Sequence, residues 1–398
     1  MPSVLMVINT TGLAYDDRLR KEVGSLQALG IDVAILGVEY ANRSARVSVY
    51  KDVPARTLRL RSRGWFPQGR GLAVKTAEMY LRILAHVIRS RPDTVWCHEL
   101  CMSGLIPVLS ALRACGWIRR VIWDHHELPS DRSLGSPLYR RLFAWLVGQC
   151  DALIMANHER RQLVLDWIGE RACPPIEVLE NYPDATFGDC AVEPLPDSVV
   201  RWLDGSPYLL AQGGANPDRY LDRLVAAVLR EPAFKLVVVG PYLPDVPAEL
   251  ERTHGPSVRQ RVLLTGAVPQ LALAPFIDHA HASVVLYRSD SANTKLCAPN
   301  RLYQALVRNV PAVVGANPPM AELVRRLECG VVLKTDGEDA NDIRDGLRQL
   351  VAAHHTLKTN CRHSRRFMWE SQDAVVARVA DATPLISHEN SLSPARCD

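Results

Sequence analysis

The sequence lacks several features that would place the chain in other classes of protein. No hydrophobic run among its 398 residues is long enough to span a bilayer, and no repeat or low-complexity tract is present. Aromatic residues make up only 6%, and the ten cysteines are scattered without the spacing of a disulfide framework. These absences argue against a membrane-spanning, fibrous or disulfide-stapled protein, and the length favours two ordinary globular domains.

A metal motif is also incomplete. Cys97-His98-Glu99-Leu100-Cys101 brings two thiols and an imidazole together, but no second Cys/His pair follows at finger-like spacing. We therefore expect no metal. The apolar start Met1–Asn9 has no basic residue and is soon followed by Asp16 and Arg18, which is typical of a first strand and not of a signal peptide. We expect a cytoplasmic protein.

Apolar, strand-like runs alternate with helical segments through both halves of the chain. Val4–Ile8 precedes a helix from about Asp16 to Leu29, and the second half restarts with a strand at Pro207–Ala211 and a helix at Asp218–Arg230. This alternation predicts an α/β protein with two Rossmann-like, doubly wound domains that face a central cleft. We expect domains at 1–190 and 204–367, a linker within 188–203, and a disordered tail at 383–398.

The segment Ser283–Gly315 has the pattern of a phosphate-binding unit, with a strand, a polar loop, a helix start and a second strand. Pro299 can occupy the first turn of the helix, where free N–H groups attract anions. Nearby side chains add positive charge. The residues expected to meet phosphate are Arg288, Lys295, Asn300, Arg301 and Leu302. An ordinary βαβ unit without a ligand is the alternative interpretation.

Two further strand exits could admit an anion. Gly213 and Gly214 follow the first strand of the second half and permit close backbone approach, and Arg219 lies just beyond them. In the first half, Thr10-Thr11-Gly12 forms a tight polar exit from the first strand. These glycine turns precede helices in both halves.

Two predicted strands of the first half are followed, at their carboxyl ends, by histidine and acidic residues. The strand Thr94–Cys97 leads to His98 and Glu99, and the strand Arg120–Trp123 leads to Asp124-His125-His126-Glu127-Leu128. Ligands bind at the carboxyl ends of parallel strands. For His98, a buried, hydrogen-bonded histidine and a functional one are equally consistent with the sequence, whereas a functional role is favoured for His126.

Several segments resemble GT-B fold, family-4-like glycosyltransferases. P-N-R-L-Y-Q-A-L-V-R-N-V-P-A-V-V, from Pro299, is similar to the P-x-K-[LF]-[FY]-E-[YA]-[LM]-x-x-G-x-P-V-[IV] segment of that family. The segments Tyr15–Glu22, with its D-x-R-x-x-[KR]-E-like pattern, and Glu180–Pro183 also resemble it. Gln304 stands where the family has a ribose-binding glutamate, Asn309 replaces a glycine, and a lysine usual after the glycine turn is missing.

The resemblance implies a nucleotide-sugar-dependent glycosyltransferase without a cofactor or metal. The second domain would bind a UDP- or GDP-sugar, the first domain a glycan or lipid-linked acceptor, and a helix at 368–382 would fold back onto the first domain. The implied donor-binding residues are Gly12, Gly213, Gly214, Arg219, Arg288, Lys295, Asn300, Arg301, Leu302 and Gln304. The implied catalytic residues are His98, Asp124, His126 and Glu127, of which His126 would contact the transferred sugar.

The proton acceptor depends on the stereochemical course. A retaining enzyme of this family lets the leaving phosphate draw the acceptor proton, and then no protein base is required. An inverting enzyme needs a general base within hydrogen-bond reach of the acceptor hydroxyl. Glu99, Asp124 and Glu127 are the candidates for that base.

A basic stretch interrupts the first half. Asn42–Arg91 contains twelve Lys or Arg against only Asp52 and Glu78. Within it, two aromatics stand among arginines in a Gly/Pro loop, which favours an anionic membrane surface over nucleic acid. The residues of this predicted membrane loop are Arg61, Arg63, Trp65, Phe66 and Arg70. A solvated charged face is the alternative.

Two other functions fit the same architecture. A nucleotide-sugar epimerase needs carboxylates near the sugar for proton abstraction, but it has no use for a membrane surface. A non-catalytic partner subunit would account for Gln304 and for the missing lysine. We therefore keep both beside glycosyl transfer.

Overall fold

The computed structural model of the protein describes residues 3–10, 12–13, 16–39, 49–50, 52–67, 69–169, 173–215 and 217–381. The predicted tail at 383–398 and part of the basic stretch lie outside the described residues.

The first half of the chain forms one sheet of eight strands in the order β3-β4-β2-β1-β5-β6-β7-β8. Every described pair of neighbouring strands is parallel except β3 and β4, which are antiparallel at the edge. The strands are β1 (Ser3–Thr10), β2 (Asp32–Glu39), β3 (Val49–Tyr50), β4 (Val53–Leu58), β5 (Thr94–His98), β6 (Arg120–His125), β7 (Ala152–Met155) and β8 (Ile176–Val178).

The second half forms a separate sheet of six parallel strands in the order β11-β10-β9-β12-β13-β14. The strands are β9 (Tyr208–Gln212), β10 (Lys235–Val239), β11 (Val262–Gly266), β12 (Ala282–Val285), β13 (Ala312–Val314) and β14 (Gly330–Val332). Strand order reverses beside β9, as in a doubly wound sheet. The predicted fold class, two Rossmann-like α/β domains, is confirmed.

Helices connect the parallel strands in both halves. In the first half they are α1 (Asp17–Ala28), α2 (Ser62–Trp65), α3 (Leu72–Ser90), α4 (Ile106–Ala114), α5 (Asp131–Gly135), α6 (Pro137–Val147), α7 (His158–Ile168) and α8 (Ala185–Gly188). The later ones are α9 (Asp197–Leu203), α10 (Leu221–Leu229), α11 (Val246–His254), α12 (Val258–Arg261), α13 (Ala274–Asp278), α14 (Ala292–Lys295), α15 (Asn300–Val307), α16 (Pro318–Leu327), α17 (Ala340–Asn360) and α18 (Asp373–Ala380).

The first sheet is buried on both faces because its strands are apolar at successive positions. In β1, Leu5 and Val7 join the core beneath α3, α4, α6 and α7, whereas Met6 and Ile8 join the core beneath α1 and α18. The side chains of a strand alternate between faces. The same alternation in β6 directs Asp124 towards α1, and this determines its role in the site.

The last described segment, 369–380, returns to the first domain. The indole N–H of Trp369 donates to Ser25 Oγ at 2.8 Å, and that hydroxyl donates to Asp373 at 2.7 Å. Trp369 is buried, and α18 packs against α1. One segment differs from the sequence prediction. Residues 188–203, expected to be a linker, contain α9.

None of the helices in the described part of the chain is long and apolar enough to cross a membrane.

Candidate active site

A cleft of about 770 Å³ lies where the carboxyl ends of the two sheets face each other. The first domain contributes His126 and Glu127 from the loop after β6, while the second contributes Arg219, Arg301 and Gln304. Because ligands of doubly wound sheets bind at the carboxyl ends of strands, this cleft is the expected place for a substrate.

Two arginines of the second domain meet over one aromatic ring in the cleft. The Arg301 guanidinium lies 4.3 Å from the ring centre of Tyr287, and that of Arg219 lies 5.8 Å from it. Burial and the charge of Arg301 lower the pKa of Arg219 to about 10. Nε and Nη2 of Arg301 have no hydrogen-bond partner in the described residues. Two close cations with unoccupied donors favour an anionic ligand.

Backbone geometry brings these groups close together. Gly213 has φ 93°, and a Cβ at this position would collide with the Arg219 guanidinium, so glycine is required. Arg219 donates to the Gly213 carbonyl, and Arg301 donates to the Gln212 carbonyl. The carbonyls at the end of β9 thus orient both arginines.

The start of α15 differs in part from its prediction. Pro299 precedes the helix, and Asn300 and Arg301 line the cleft. Leu302 does not: its N–H donates to the Pro299 carbonyl at 3.0 Å, and its side chain is fully buried in the core. The assignment of Leu302 to donor binding is therefore wrong, because its N–H is already satisfied.

Two predicted basic residues lie away from the cleft. Arg288 is exposed and faces Tyr220 and Asp290, next to a second cavity of the same domain. Lys295 ends α14 with an exposed side chain and does not line the cleft. Neither residue lines the cleft that holds Arg219 and Arg301, so the structure does not place them with those arginines as predicted.

Two predicted glycines also lie outside the cleft lining. Gly214 sits behind Gly213, where a Cβ would collide with the Pro241 carbonyl, and its N–H donates to the Val239 carbonyl at 3.1 Å. Gly12 is buried, and its N–H donates to Thr10 Oγ1. Neither glycine lines the cleft, and Gly214 serves a close backbone approach to Pro241.

Gln304 lines the cleft, although only 2% of its surface is exposed. Its Nε2 has no partner among the described residues. A buried amide without a partner is costly unless a ligand satisfies it. The position expected to hold a ribose is therefore oriented for a ligand.

Arg160 is a cleft residue that the sequence analysis missed. It lies on α7, whose first turn is capped by Asn157, and it is 5% exposed. Its guanidinium donates to the His126 carbonyl and, at 2.8 Å, to the carbonyl of Asn293 in the second domain. No carboxylate among the described residues forms an ion pair with it. Only the capped helix start indicated this region in the sequence.

The imidazole of His126 lies between two carboxylates. Its Nδ1 is 2.9 Å from Glu99 Oε1, and its Nε2 is 3.1 Å from Asp124 Oδ2. Burial opposes the charged ring, but the two carboxylates outweigh it and raise the pKa of His126 well above its ordinary value. His126 and Glu127 are the members of this loop that reach the cleft.

Asp124 cannot serve as a base for an acceptor. It is fully buried, and Nε and Nη2 of Arg18 donate to its two oxygens at 2.8 and 2.9 Å. Burial alone would raise the pKa of Asp124, but the charges of Arg18 and His126 hold it well below its ordinary value. The candidate base is thus a positioning group, and Arg18 is a second residue that the site assignment omitted.

His98 lies behind His126 and does not line the cleft. It is fully buried, 3.5 Å from Asp124 and 3.6 Å from Glu22, and burial lowers its pKa. Of the two interpretations left open for His98, the buried histidine is the one observed. His125 points the other way, with its ring centre 4.1 Å from that of Trp123, and burial lowers its pKa to about 4.

The ligand atoms of His98, Asp124 and His126 lie within 4.8 Å of one another, a spacing at which a metal ion could be considered. The guanidinium of Arg18 already neutralises Asp124 and uses both of its oxygens. We therefore assign no metal to this group.

Comparison with known families identifies the class of protein. Residues 212–353 match the family described as glycosyl transferases group 1. This segment contains Arg219, Arg301 and Gln304. No curated protein sequence matches the chain significantly.

Solved structures resemble the whole chain at low sequence identity. Sucrose-phosphate synthase from Thermosynechococcus elongatus is 14% identical with a TM-score of 0.75, covering 96% of this chain and 98% of that one. Anabaena Alr3699/HepE in complex with UDP and glucose is 12% identical with a TM-score of 0.68, covering 96% and 100%. WaaG, a glycosyltransferase of lipopolysaccharide biosynthesis, is 16% identical with a TM-score of 0.64, covering 95% and 98%.

These structures share the GT-B fold, and the family match assigns the second domain to group 1. The predicted resemblance is confirmed, and the protein is a glycosyltransferase.

Proposed function

We propose that the protein transfers a sugar from a nucleotide diphosphate sugar to an acceptor hydroxyl, with the donor held by the second domain. The observation that supports this proposal is that three arginines line the cleft: Arg160, Arg219 and Arg301. None of them forms an ion pair with a carboxylate among the described residues. A diphosphate supplies two negative charges and several acceptor oxygens. Solved neighbours were crystallised with UDP or a UDP-sugar, which supports this donor class.

The leaving diphosphate would lie against Arg219 and Arg301. Guanidinium groups hold phosphate through paired N–H donors, and a buried donor is stronger than one in water. Their charges can stabilise the departing diphosphate as Mg²⁺ does in other enzymes. We propose that transfer is independent of metal for this reason.

The donor sugar would extend from the diphosphate towards the first domain. His126 and Glu127 face the cleft from the end of β6, opposite the arginines of the second domain. Asp124 and Glu99 are engaged by charged partners, which leaves Glu127, exposed at the cleft, as the remaining candidate for a base. We propose retention of configuration, with the leaving phosphate as the proton acceptor, and inversion would instead require Glu127.

We further propose a lipid-linked acceptor at an anionic membrane. Trp65 is 70% exposed, and α3 directs Leu72, Val74, Leu81 and Ile88 towards solvent. The helix also carries basic residues at a seven-residue spacing: Lys75, Arg82 and Arg89. A row of exposed apolar side chains beside a row of cations suits the interface of an anionic bilayer.

One residue of the predicted membrane loop is corrected. The ring of Phe66 packs over Gly71, where a Cβ would lie 2.4 Å from it, so Phe66 is partly buried. The loop begins as the short helix α2. The Ser62 N–H at the start of this helix donates to the Glu78 carboxylate at 2.8 Å. Trp65 is therefore the exposed aromatic of the loop. We propose that Trp65 and the exposed apolar side chains of α3, and not Phe66, contact the membrane.

A panel of nucleotide sugars tests the proposed reaction. Incubation with UDP- and GDP-sugars, followed by assay of free nucleotide diphosphate and of the sugar product, separates three functions. Nucleotide diphosphate release supports transfer. An epimerised sugar nucleotide without transfer would identify an epimerase, and the absence of turnover with bound nucleotide would identify a non-catalytic subunit.

A further inference from the structure

The groups around His126 form a buried ionic cluster that couples three elements of the first domain. Arg18 and Glu22 come from α1, His98 and Glu99 from the end of β5, and Asp124 from β6. All but Glu99 and His126 are buried at 4% exposure or less. The side chain of Glu99 is 28% exposed and that of His126 is 18% exposed. Such a cluster is stable only if its charges balance.

The charge of the cluster follows from its contacts. Arg18 is a permanent cation, and its bidentate contact keeps Asp124 anionic. Burial, followed by the charge of Asp124, raises the pKa of Glu22 well above its ordinary value, so Glu22 favours the neutral acid. Burial also favours neutral His98. The cluster is then neutral when Glu99 is anionic and His126 is cationic.

The geometry of His126 favours the same protonation state. Glu99 Oε1 faces Nδ1 and Asp124 Oδ2 faces Nε2, so both ring nitrogens point at carboxylate acceptors. A neutral imidazole carries one N–H and one lone pair, and the lone pair would then face a carboxylate oxygen. His98 Nδ1 also lies 3.4 Å from His126 Nε2, and it lies 3.5 Å from Asp124 Oδ2. Only the imidazolium of His126 donates to both carboxylates.

We infer that Glu99 is a positioning residue which, together with Asp124, holds His126 as an imidazolium whose two N–H groups are occupied. Below its titration midpoint, the ring then faces the cleft as a positive charge and has no lone pair with which to accept a proton. This inference rests on the proposed function only for its consequence: His126 would stabilise negative charge on the departing diphosphate, and it would not act as a base.

The backbone supports an orienting role for Glu99. Its φ is 75°, a strained conformation for a residue with a side chain. Its N–H donates to the Asp124 carbonyl at 2.8 Å, and its carbonyl accepts from the Trp123 indole at 3.1 Å. These contacts direct the carboxylate of Glu99 towards His126.

The other charged groups near the His126 ring do not provide the contact that Glu99 makes with Nδ1. Arg160 on α7 donates to the main-chain carbonyl of His126, not to its ring. Glu127 is exposed at the cleft, and His125 faces the opposite side of the sheet. The carboxylates in contact with the ring among the described residues are those of Glu99 and Asp124.

The test is an NMR titration of the His126 ring in the free full-length protein, which requires no activity. We expect a midpoint above the ordinary value of 6.5 in the native protein. Removal of one carboxylate in Glu99→Gln should lower it by about one to three pH units. Glu99→Asp should restore part of the shift. Glu127→Gln is the matched control and should leave the midpoint unchanged.

Two results would overturn the inference: a native midpoint at or below 6.5, or a midpoint that Glu99→Gln leaves in place. Turnover provides a second measurement once a donor is known. The rate should fall as pH rises through the His126 midpoint, and Glu99→Gln should move that fall to lower pH. Failure to find any donor would count against the proposed function and not against the NMR result.

Discussion

Arg18 donates from Nε and Nη2 to the two oxygens of Asp124, at 2.8 and 2.9 Å, and so ties the first turn of α1 to the end of β6. Both side chains are at most 4% exposed. Since Asp124 also contacts the His126 ring, this ion pair connects the packing of α1 in the first domain to a residue that lines the cleft.

Asp124→Asn should destabilise the protein strongly. It removes the bidentate partner of Arg18 and leaves Glu22, 3.1 Å from Arg18 Nε, as the remaining carboxylate beside that charge. Breaking a buried ion pair in this way costs about 3 to 5 kcal/mol. Urea unfolding measures the loss. Asp222→Asn is the control, because Asp222 is half-exposed and pairs with His254 at the surface, where a loss of less than about 1 kcal/mol is expected. Equal losses in the two variants would contradict a structural role for Asp124.

The same pair predicts how stability depends on pH. The Asp124 pKa is held well below its unfolded value of 3.8, so the carboxylate contributes stability at pH values above 3.8. That contribution is lost as pH falls towards the folded pKa. The native protein should therefore lose stability below about pH 4 more steeply than Asp124→Asn. Parallel acid-unfolding curves would contradict this assignment.

His126→Ala should lower turnover by about 10² or more while nucleotide affinity stays nearly unchanged, because we propose that the ring contacts the donor sugar and not the nucleotide. Steady-state kinetics and nucleotide titration together measure this. His158→Ala, an exposed histidine of the same domain, is the control. Equal losses of nucleotide affinity and turnover would place His126 at the nucleotide instead.

Gln304→Glu should tighten binding of the preferred nucleotide diphosphate by roughly tenfold, and Gln304→Ala should weaken it. A carboxylate accepts from both ribose hydroxyls with charge-assisted bonds of about 1.5 to 3 kcal/mol, whereas a neutral bond contributes near 1 kcal/mol. Calorimetric titration of the three proteins measures the difference. If Gln304→Ala bound the nucleotide diphosphate with native affinity, Gln304 would not contact the donor.

Leu81→Glu should reduce binding to anionic vesicles, because it places a negative charge within the exposed apolar face of α3. Flotation at rising salt concentration measures binding, and native binding should weaken as the Debye length shortens. Leu243→Glu is the control, since Leu243 in the second domain is 68% exposed against 69% for Leu81. Vesicle binding that does not depend on lipid charge would contradict the membrane proposal, and this surface would then be an ordinary solvated face.

The fold could be predicted from the sequence because the strands are short apolar runs, and these alternate with helices in both halves. Val4–Ile8 needs burial on both faces, and only a helix-covered sheet provides it. The helix α9 was missed because Pro, Asp and Glu obscure its period, although Val199 and Leu203 reach the core.

The site was only partly predictable. His126, Glu127 and Arg301 follow or begin regular elements, and their position at a strand end or helix start places them at the cleft. Side-chain direction is not contained in such a pattern. Lys295 therefore points to solvent, and Leu302 enters the core.

Arg18 and Arg160 were missed for another reason. Their roles depend on partners more than one hundred residues away along the chain, Asp124 for Arg18 and Asn293 for Arg160. The D-x-R pattern in Tyr15–Glu22 contains Arg18 but does not indicate its partner, and no local pattern indicates the partner of Arg160. Only the packing of α1 and α7 against the strand ends brings these residues to the site.

The most direct test of glycosyl transfer at this cleft is the rate of nucleotide diphosphate release by the native protein and by Arg301→Gln, with the preferred nucleotide sugar and its acceptor. Loss of one charged donor to the leaving group should lower the rate by about 10² to 10³. Arg325→Gln, on the exposed side of α16, should keep the native rate. Release that matches acceptor glycosylation, and that depends on Arg301, is the predicted result. Native rates in Arg301→Gln, or no release from any UDP- or GDP-sugar, would contradict the account.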